Sequence, residues 1–266
     1  MKMLNLYGIE KTFNVGTVNE KKALNGINFT INDGDFVTVI GGNGAGKSTL
    51  LNIISGVYIS DAGKIIIGDE DVTNKKEHQR AKLLGRVFQD PMMGTAADMS
   101  IEDNMAMAYR RIKRRGLVWG ITAKEKVKYK ELVATLGLGL EDRMTTKVGL
   151  LSGGQRQAIT LLMATLEKPK LLLLDEHTAA LDPKTAAKVL EITNNIVSEN
   201  KITTLMITHN MKDAIRLGNR LIMMHEGRII YEVSGEEKQK LQVSDLMALF
   251  AKASDGEFAN DRMLLG

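Results

Sequence analysis

Residues 41 to 49 read GGNGAGKST, and their types and spacing suit one task above others, the holding of a chain of phosphates. Glycines let the backbone curl so that successive N–H groups point inward at phosphate oxygens. A helix that starts directly after the loop adds the positive end of its dipole. Gly41, Gly46, Lys47 and Ser48 satisfy the phosphate-loop pattern, and Gly42, Asn43, Gly44, Ala45 and Thr49 complete the cradle. In that pattern Lys47 reaches the β- and γ-phosphates of a nucleotide and the Ser48 hydroxyl ligates Mg²⁺. The plain alternative is a glycine-rich surface turn. A short β-rich run before the loop and a helical pattern after it weigh against that.

A second group of residues fits the same chemistry. Leu171 to Leu174 is wholly apolar and ends in Asp175 and Glu176. A buried strand ending in a carboxylate brings negative charge to the mouth of the site, where Mg²⁺ must be held. A neighbouring carboxylate can act as general base on the attacking water. Alone, the pair would read as a solvated strand end; the phosphate loop decides for the functional reading. Ser152, Gly153, Gly154 and Gln155 form a third group. Ser152 is a helix N-cap, with a helix running to about Glu167 before Pro169. The cap explains the serine but not two glycines in a first turn, where each costs about 0.5–1 kcal/mol relative to alanine. Bare N–H groups there are useful where a phosphate approaches closely, as when a second subunit presents one.

These residues need elements to position them. Ile27 to Ile31 and Phe36 to Ile40 read as strands, with a turn at Asn32, Asp33 and Gly34. Lys47 to Ser55 has helical spacing and Gly56 is its stop. Further strands are expected at Lys64 to Ile67, Gly85 to Phe88, Leu171 to Leu174 and Thr203 to Ile207. Helices are expected over Ser100 to Ile112 and Ala123 to Leu136, in a Met-, Ala-, Lys- and Arg-rich stretch that interrupts the α/β pattern. Asp182 before Pro183 is a helix start. Leu221 to Met224 and Arg228 to Val233 read as a hairpin around His225, Glu226 and Gly227, and a last amphipathic helix spans Val243 to Ala253.

Composition narrows the class. The chain has 266 residues, enough for one large domain; it is 44% hydrophobic and 26% charged, as in ordinary globular proteins. A net charge of +4 with interleaved signs is not the profile of a dedicated nucleic-acid binder. With no cysteine, disulfides and thiolate metal sites are excluded. The opening residues carry Glu10 and Lys11 before any sustained apolar run, unlike a secretory signal. No stretch approaches the roughly 18 apolar residues of a membrane span, so a membrane function would need another chain. A basic run (Arg110, Arg111, Lys113, Arg114, Arg115) stands beside the sole tryptophan, Trp119. It reads first as a solvated helix end and second as a contact for anionic headgroups or a membrane partner.

Taken in order, the motifs resemble those of the ATP-binding subunits of ABC transporters, over about residues 1 to 235. They are the phosphate loop, a lone glutamine after a strand (Gln89 in RVFQDP), LSGGQRQ at 151 to 157, LLLLDE at 171 to 176, an AALD turn at 179 to 182, and a strand followed by His209 in LMITHN. The resemblance implies a phosphate-loop (RecA-like) α/β ATPase core with an antiparallel β portion and an inserted helical subdomain. Within one domain, 1–90 and 160–235 would form the core, 91–159 the helical insert and 236–266 a helical tail. It implies that ATP and Mg²⁺ bind, with Gln89 sensing metal and water, Ser48, Gln89 and Asp175 around the metal, and His209 on the γ-phosphate. Ser152 to Gln155 would complete the site of a facing subunit, with Asp182 communicating across that dimer. Phe13, or second Tyr7, would stack on adenine.

The implied partners are transmembrane permease subunits, a second copy or a related ATPase, and indirectly an extracytoplasmic substrate-binding lipoprotein. Nucleic acid is not expected. The implied place is the cytoplasmic face of the cell membrane. His177 departs from the proline that many relatives carry after the Asp-Glu pair. HTAALDP is similar to a bacterial subgroup serving importers, some assigned to aromatic amino acids. The rival reading, a non-transport ATPase of the same superfamily acting on ribosomes or DNA, would call for a second cassette or a long coiled coil, and the chain carries neither. A nucleotide kinase or GTPase would not carry LSGGQRQ.

Overall fold

The runs FVTVIG and LLLLD are apolar without interruption, a pattern that only a strand covered on both faces tolerates. The computed structural model describes residues 1–111 and 120–253, and both runs are interior strands. The elements in chain order are β1 (Lys2–Phe13), β2 (Lys21–Asn32), β3 (Phe36–Gly41), α1 (Lys47–Ser55), β4 (Ala62–Ile67), β5 (Glu70–Asp71), α2 (Glu77–Arg80), β6 (Leu84–Val87), α3 (Ile101–Arg110) and α4 (Ala123–Ala134). There follow α5 (Gly153–Thr165), β7 (Leu171–Asp175), α6 (Pro183–Glu199), β8 (Thr204–Ile207), α7 (Met211–Arg216), β9 (Arg220–His225), β10 (Arg228–Ser234), α8 (Gly235–Lys240) and α9 (Val243–Ala253).

Six strands form one sheet in the order β10-β9-β3-β8-β7-β6, all parallel except the β10 edge. The period of two along β7 divides its leucines between two cores. Leu171 and Leu173 join the cluster shared with α1 and a second sheet. Leu172 and Leu174 join the cluster built from α3, α4, α5 and α6. Met206 of β8 faces the helices in the same way, while Leu205 and Ile207 face the other side. The second sheet is antiparallel, ordered β2-β1-β4-β5. Because β3 and β7 run parallel and are held by β8 between them, their carboxyl ends, Gly41 and Asp175, emerge on one edge of the sheet.

Helix starts are legible in the sequence. Ser100, Thr122 and Ser152 each cap a helix through a reciprocal box with Asp103, Glu125 and Gln155. Asp182 caps α6 with Pro183 behind it. Boundaries differ from the sequence reading in small ways. The strand expected at Gly85 to Phe88 sits one residue earlier, and Thr203 precedes β8. The helices expected to reach Leu136 and Glu167 stop at Ala134 and Thr165. His225 belongs to β9 and pairs with Arg228, leaving Glu226 and Gly227 as a two-residue turn with φ of 44° and 73°. That is the turn whose twist matches a hairpin. Of the basic run, Arg110 donates to Gly120 O at 2.6 Å and pairs with Glu125 at 3.3 Å. Ile112, Lys113, Arg114, Arg115, Trp119 and everything after Ala253 lie outside the described residues. Among the described residues no helix is long and apolar enough to cross a membrane.

The far end of α1 is held by a buried cation. Arg80 is fully buried and its guanidinium donates to Ile53 O (2.7 Å), Ile54 O (2.8 Å), Thr73 O (3.2 Å) and Lys75 O (2.7 Å). Two of those belong to the last turn of α1, where carbonyls run out of intrahelical donors, although Ile53 O also accepts the Gly56 cap N–H at 3.2 Å. Burial lowers the Arg80 pKa to about 10, so the group stays charged at neutral pH and complements the negative end of the α1 dipole. We therefore expect Arg80→Met to lower unfolding free energy by about 3 kcal/mol, since it strands several buried carbonyls. A denaturant midpoint unchanged from the native chain would refute this anchoring.

Candidate nucleotide site

Between β3 and α1 the chain makes a tight loop whose shape requires glycine at one position in particular. Gly46 has φ +98° and a Cβ there would lie 2.5 Å from Ala23 O. Ala45 N–H donates to Gly42 O at 3.2 Å, and Gly227 N–H donates to Ala45 O at 3.1 Å, pinning the loop to the β9–β10 turn. Lys47, 8% exposed, folds its ammonium back into the loop and donates to Gly41 O (2.7 Å) and Gly42 O (3.2 Å). Burial drives its pKa down; the charges of Glu176 and Asp175 pull it back. Asn43, Gly44 and Ser48 are exposed at the mouth and Thr49 is half-buried.

Across from the loop stand the two carboxylates. Burial raises the pKa of Asp175, against the pull of Arg86 and Lys47. Arg86 Nη2 lies 3.7 Å from its carboxylate and donates to Asn52 Oδ1 of α1 at 2.7 Å. Sequence reasoning missed Arg86. The only signal available was an arginine inside an otherwise apolar strand, which must find a partner when buried. Glu176 follows with φ +45°, a left-handed conformation that costs about 1–2 kcal/mol for a residue with a Cβ. Its N–H still donates to Ile207 O at 3.1 Å. The strain turns its carboxylate toward His209, whose Nδ1 is 3.5 Å from Oε2. This contact lowers the Glu176 pKa and raises that of His209.

Gln89 is exposed beside Asp175 in a cleft of about 770 Å³, which Asn52, Arg86 and Met93 also line. Gln157, the last residue of the LSGGQRQ segment, is fully buried and donates from Nε2 to Phe88 O at 3.0 Å. The helix that begins at Ser152 is therefore bonded to the residue before Gln89, a link the sequence did not disclose. Phe13 sits at the end of β1, half-buried, edge-on to Tyr58 with ring centroids 5.3 Å apart. It pairs with Lys21, whose Nζ would lie 3.0 Å from a Cβ built on Gly44, so Phe13 borders the loop. Tyr7 instead pairs with Lys64 on β4.

The remaining predicted residues form a separate constellation. Ser152 Oγ accepts from Gln155 N–H at 3.3 Å while Gln155 Oε1 accepts from Ser152 N–H at 3.2 Å. A Cβ on Gly154 would stand 2.0 Å from Thr185 Cγ2, so this buried glycine is already required by the packing of α5 on α6. At Gly153, exposed at the helix start, a Cβ would stand 3.1 Å from Leu181 Cδ2, a tight approach to the end of a flexible side chain. Asp182 spends its side chain on the α6 cap, accepting from Thr185 N–H at 3.1 Å.

A strand–loop–helix phosphate cradle facing an Asp-Glu strand end defines a phosphate-loop NTPase. Residues 24–179 match the family described as ABC transporter. The chain is 42% identical over 251 residues to the tyrosine transport ATP-binding protein of Clostridioides difficile, covering 94% of this chain and 100% of that one. It is 33% identical over 250 residues to the xylose/arabinose import ATP-binding protein XylG of Sulfolobus acidocaldarius, covering 94% and 95%. Among solved structures it is similar to a dimeric post-hydrolysis ATP-binding cassette bound to ADP and phosphate. There the TM-score is 0.73 at 27% identity, over 87% of this chain and 98% of that one. The chain belongs to the ABC transporter family. It is an ATP-binding subunit that hydrolyses ATP.

The Glu176–His209 contact has a defined pH window. The raised His209 pKa makes its contribution fully present below the ordinary value of 6.5 and lost as pH rises through the raised one. The lowered Glu176 pKa makes its contribution present above the ordinary 4.5 and lost as pH falls through the lowered one. The charged pair thus exists between those two limits. In nucleotide-free protein, the His209 ring resonances should titrate above 6.5, and Glu176→Gln should bring the midpoint down. An unmoved midpoint would dissolve the pair.

Proposed function

We propose that this chain powers import of a small solute, tyrosine or another aromatic amino acid, as one half of a head-to-tail dimer that holds two ATP molecules between its subunits. The observation that carries the reading is Lys47 lodged in the phosphate loop within the field of Asp175 and Glu176, with Glu176 strained toward His209. The solute is supported by the 42% likeness to a tyrosine transport subunit along that protein's entire length. Import is supported by the likeness to a sugar-import subunit.

The donor set fits Mg²⁺ arriving with the nucleotide. Ser48, Asp175 and Gln89 offer hard oxygens, and among the described residues no three His, Cys, Asp or Glu cluster to hold a metal alone. That is the pattern for an ion bound through one carboxylate, a hydroxyl and substrate phosphates. When bound it would offset charge on the phosphate oxygens. Lys47 would exchange its two carbonyl partners for the β- and γ-phosphates. Phe13 would stack on the base. Glu176 would accept the proton of the water whose oxygen attacks the γ-phosphorus, as the bond to the β–γ bridging oxygen breaks. His209 would leave Glu176 for the γ-phosphate, freeing the carboxylate to act. Ser152 and the bare N–H groups of Gly153 and Gly154 would receive the γ-phosphate of the facing subunit, with Asp182 beside the seam.

In the same reading the chain sits on the cytoplasmic face of the membrane, with permease subunits seated on the cleft beside Gln89. A substrate-binding lipoprotein would deliver solute on the other side. The helices within 91–159 form the unit that carries the LSGGQRQ segment, and 1–90 with 160–235 the unit that carries the loop.

Two measurements test this. In size-exclusion chromatography with Mg-ATP, Glu176→Gln should run as a stalled dimer, while native chain stays mostly monomeric. Adding Ser152→Arg should return it to monomer, because a long cation blocks the facing γ-phosphate. Near-normal ATP turnover by Glu176→Gln would remove it as base. Separately, Met93→Cys places the chain's only thiol on an exposed side chain of the cleft. In membranes holding the whole transporter it should cross-link to a polytopic membrane protein. Capture of ribosomal protein or DNA would favour the non-transport reading.

A further inference from the structure

The residue after the strained Glu176 is buried more completely than any ionisable group of the site. His177 is 2% exposed, and its Nε2 lies 3.0 Å from Thr193 Oγ1 on α6. Thr193, also fully buried, has one hydroxyl proton, and that proton goes to Val189 O at 2.8 Å. Thr193 Oγ1 can then only accept from the imidazole, so His177 carries its proton on Nε2. The hydrogen bonds form a short chain, from the residue beside Glu176, through Thr193, to the backbone of α6.

We propose that His177 is a positioning residue for hydrolysis, holding the Glu176 carboxylate at its working place by anchoring the following residue to α6. Glu176 has φ +45°, and a strained residue keeps such a conformation only when its surroundings fix it on both sides. On the near side the fixing group is its own N–H, bonded to Ile207 O. Beyond it the chain turns at once, with Ala179 N–H donating to Glu176 O at 2.9 Å and Leu181 N–H to Thr178 O at 3.2 Å. His177 is the side chain of this segment that reaches into the core. Freed from Thr193, the 176–177 peptide can rotate and Glu176 can relax, moving its carboxylate away from His209. The anchor also meets the wall against which α5 packs. Val189, whose carbonyl ends the chain of bonds, lies 3.9 Å from where a Cβ on Gly154 would stand. A residue beside the base and the start of α5 are thus referred to one stretch of α6.

This inference rests on Glu176 as general base, and the test separates the two. His177→Leu keeps an apolar side chain in the pocket but loses the donor. His177→Gln retains an amide N–H at the same number of bonds from Cα as Nε2. Thr193→Val removes the acceptor and keeps the shape. ATP turnover of the full chain should fall about tenfold or more in kcat for His177→Leu, as expected for a displaced catalytic group. KM for ATP should stay within about twofold, because the lost interaction acts only in the chemical step. His177→Gln should restore most of kcat. Thr193→Val should show the same kcat loss, and the double variant no further loss. A merely structural histidine would lower thermal stability and leave the folded enzyme's kcat in place. Native kcat in His177→Leu or Thr193→Val, with Glu176→Gln inactive, overturns the positioning role alone. Native turnover in Glu176→Gln overturns the base assignment and this inference with it.

Discussion

A nucleoside triphosphate brings several negative charges to a place where two carboxylates already stand, and the fold must make that arrangement tolerable. At close range in a partly buried site each like-charge contact costs several kcal/mol, so opposite charge must be fixed in advance. Four sources converge here. The open N-terminus of α1 points its dipole at the site. Lys47 lies within the loop and in the field of both carboxylates. Arg86 stands 3.7 Å from Asp175, and His209 stands 3.5 Å from Glu176. Each is held by a different element, and the elements meet at one edge only because β3, β8, β7 and β6 are parallel. An alternating antiparallel order would have sent the ends of β8 and β6, which lead to His209 and Gln89, to the edge opposite Gly41 and Asp175.

Those constraints are the ones the sequence states most plainly. A loop with glycine where φ is +98° cannot be disguised by substitution, and a doubly covered strand must be apolar at every position. Helix caps are equally local, since Ser152 with Gln155 and Asp182 with Thr185 complete their bonds within four residues. For the same reason α1 was legible from Lys47 to Ser55 without error. The two-residue turn at Glu226 and Gly227 was read one residue too wide, because His225 is polar and nothing local marks it as paired.

What the sequence did not disclose depends on distant partners. The register of the β2-β1-β4-β5 sheet is long-range, and its strands carry bulges that blur alternation. Nothing local to Arg80 or Arg86 names its partner, yet Arg80 is buried and Arg86 half-buried against α1, far away in the chain. Gly154 is the sharpest example. Next to Gly153 it suggested a bare helix end for phosphate, but the methyl group of Thr185, 31 positions later, already forbids a side chain there. Gly154 is required by packing outright, whereas Gly153 faces only the end of the flexible Leu181 side chain, and the chemical argument falls there.

That division bears on how a site shared between subunits can be built. The first turn of α5 has four N–H groups without intrahelical partners. The reciprocal cap of Ser152 and Gln155 satisfies two within the chain, and Gly154 lets α5 sit hard against α6. The start of α5 is therefore rigid before any partner arrives. If a facing subunit presents a phosphate there, as proposed, a rigid, capped helix start would lose little entropy on receiving it, which is what a weak, reversible closure needs. The same rigidity makes α5 a lever. Gln157, one turn further on, holds Phe88 next to Gln89, and Gln89 opens onto the cleft beside Asp175. Any motion of α5 on a proposed closure would then move the backbone at Phe88 or break the hydrogen bond that Gln157 donates to it. A buried amide resists that loss, so displacement at the helix start is carried to the cleft.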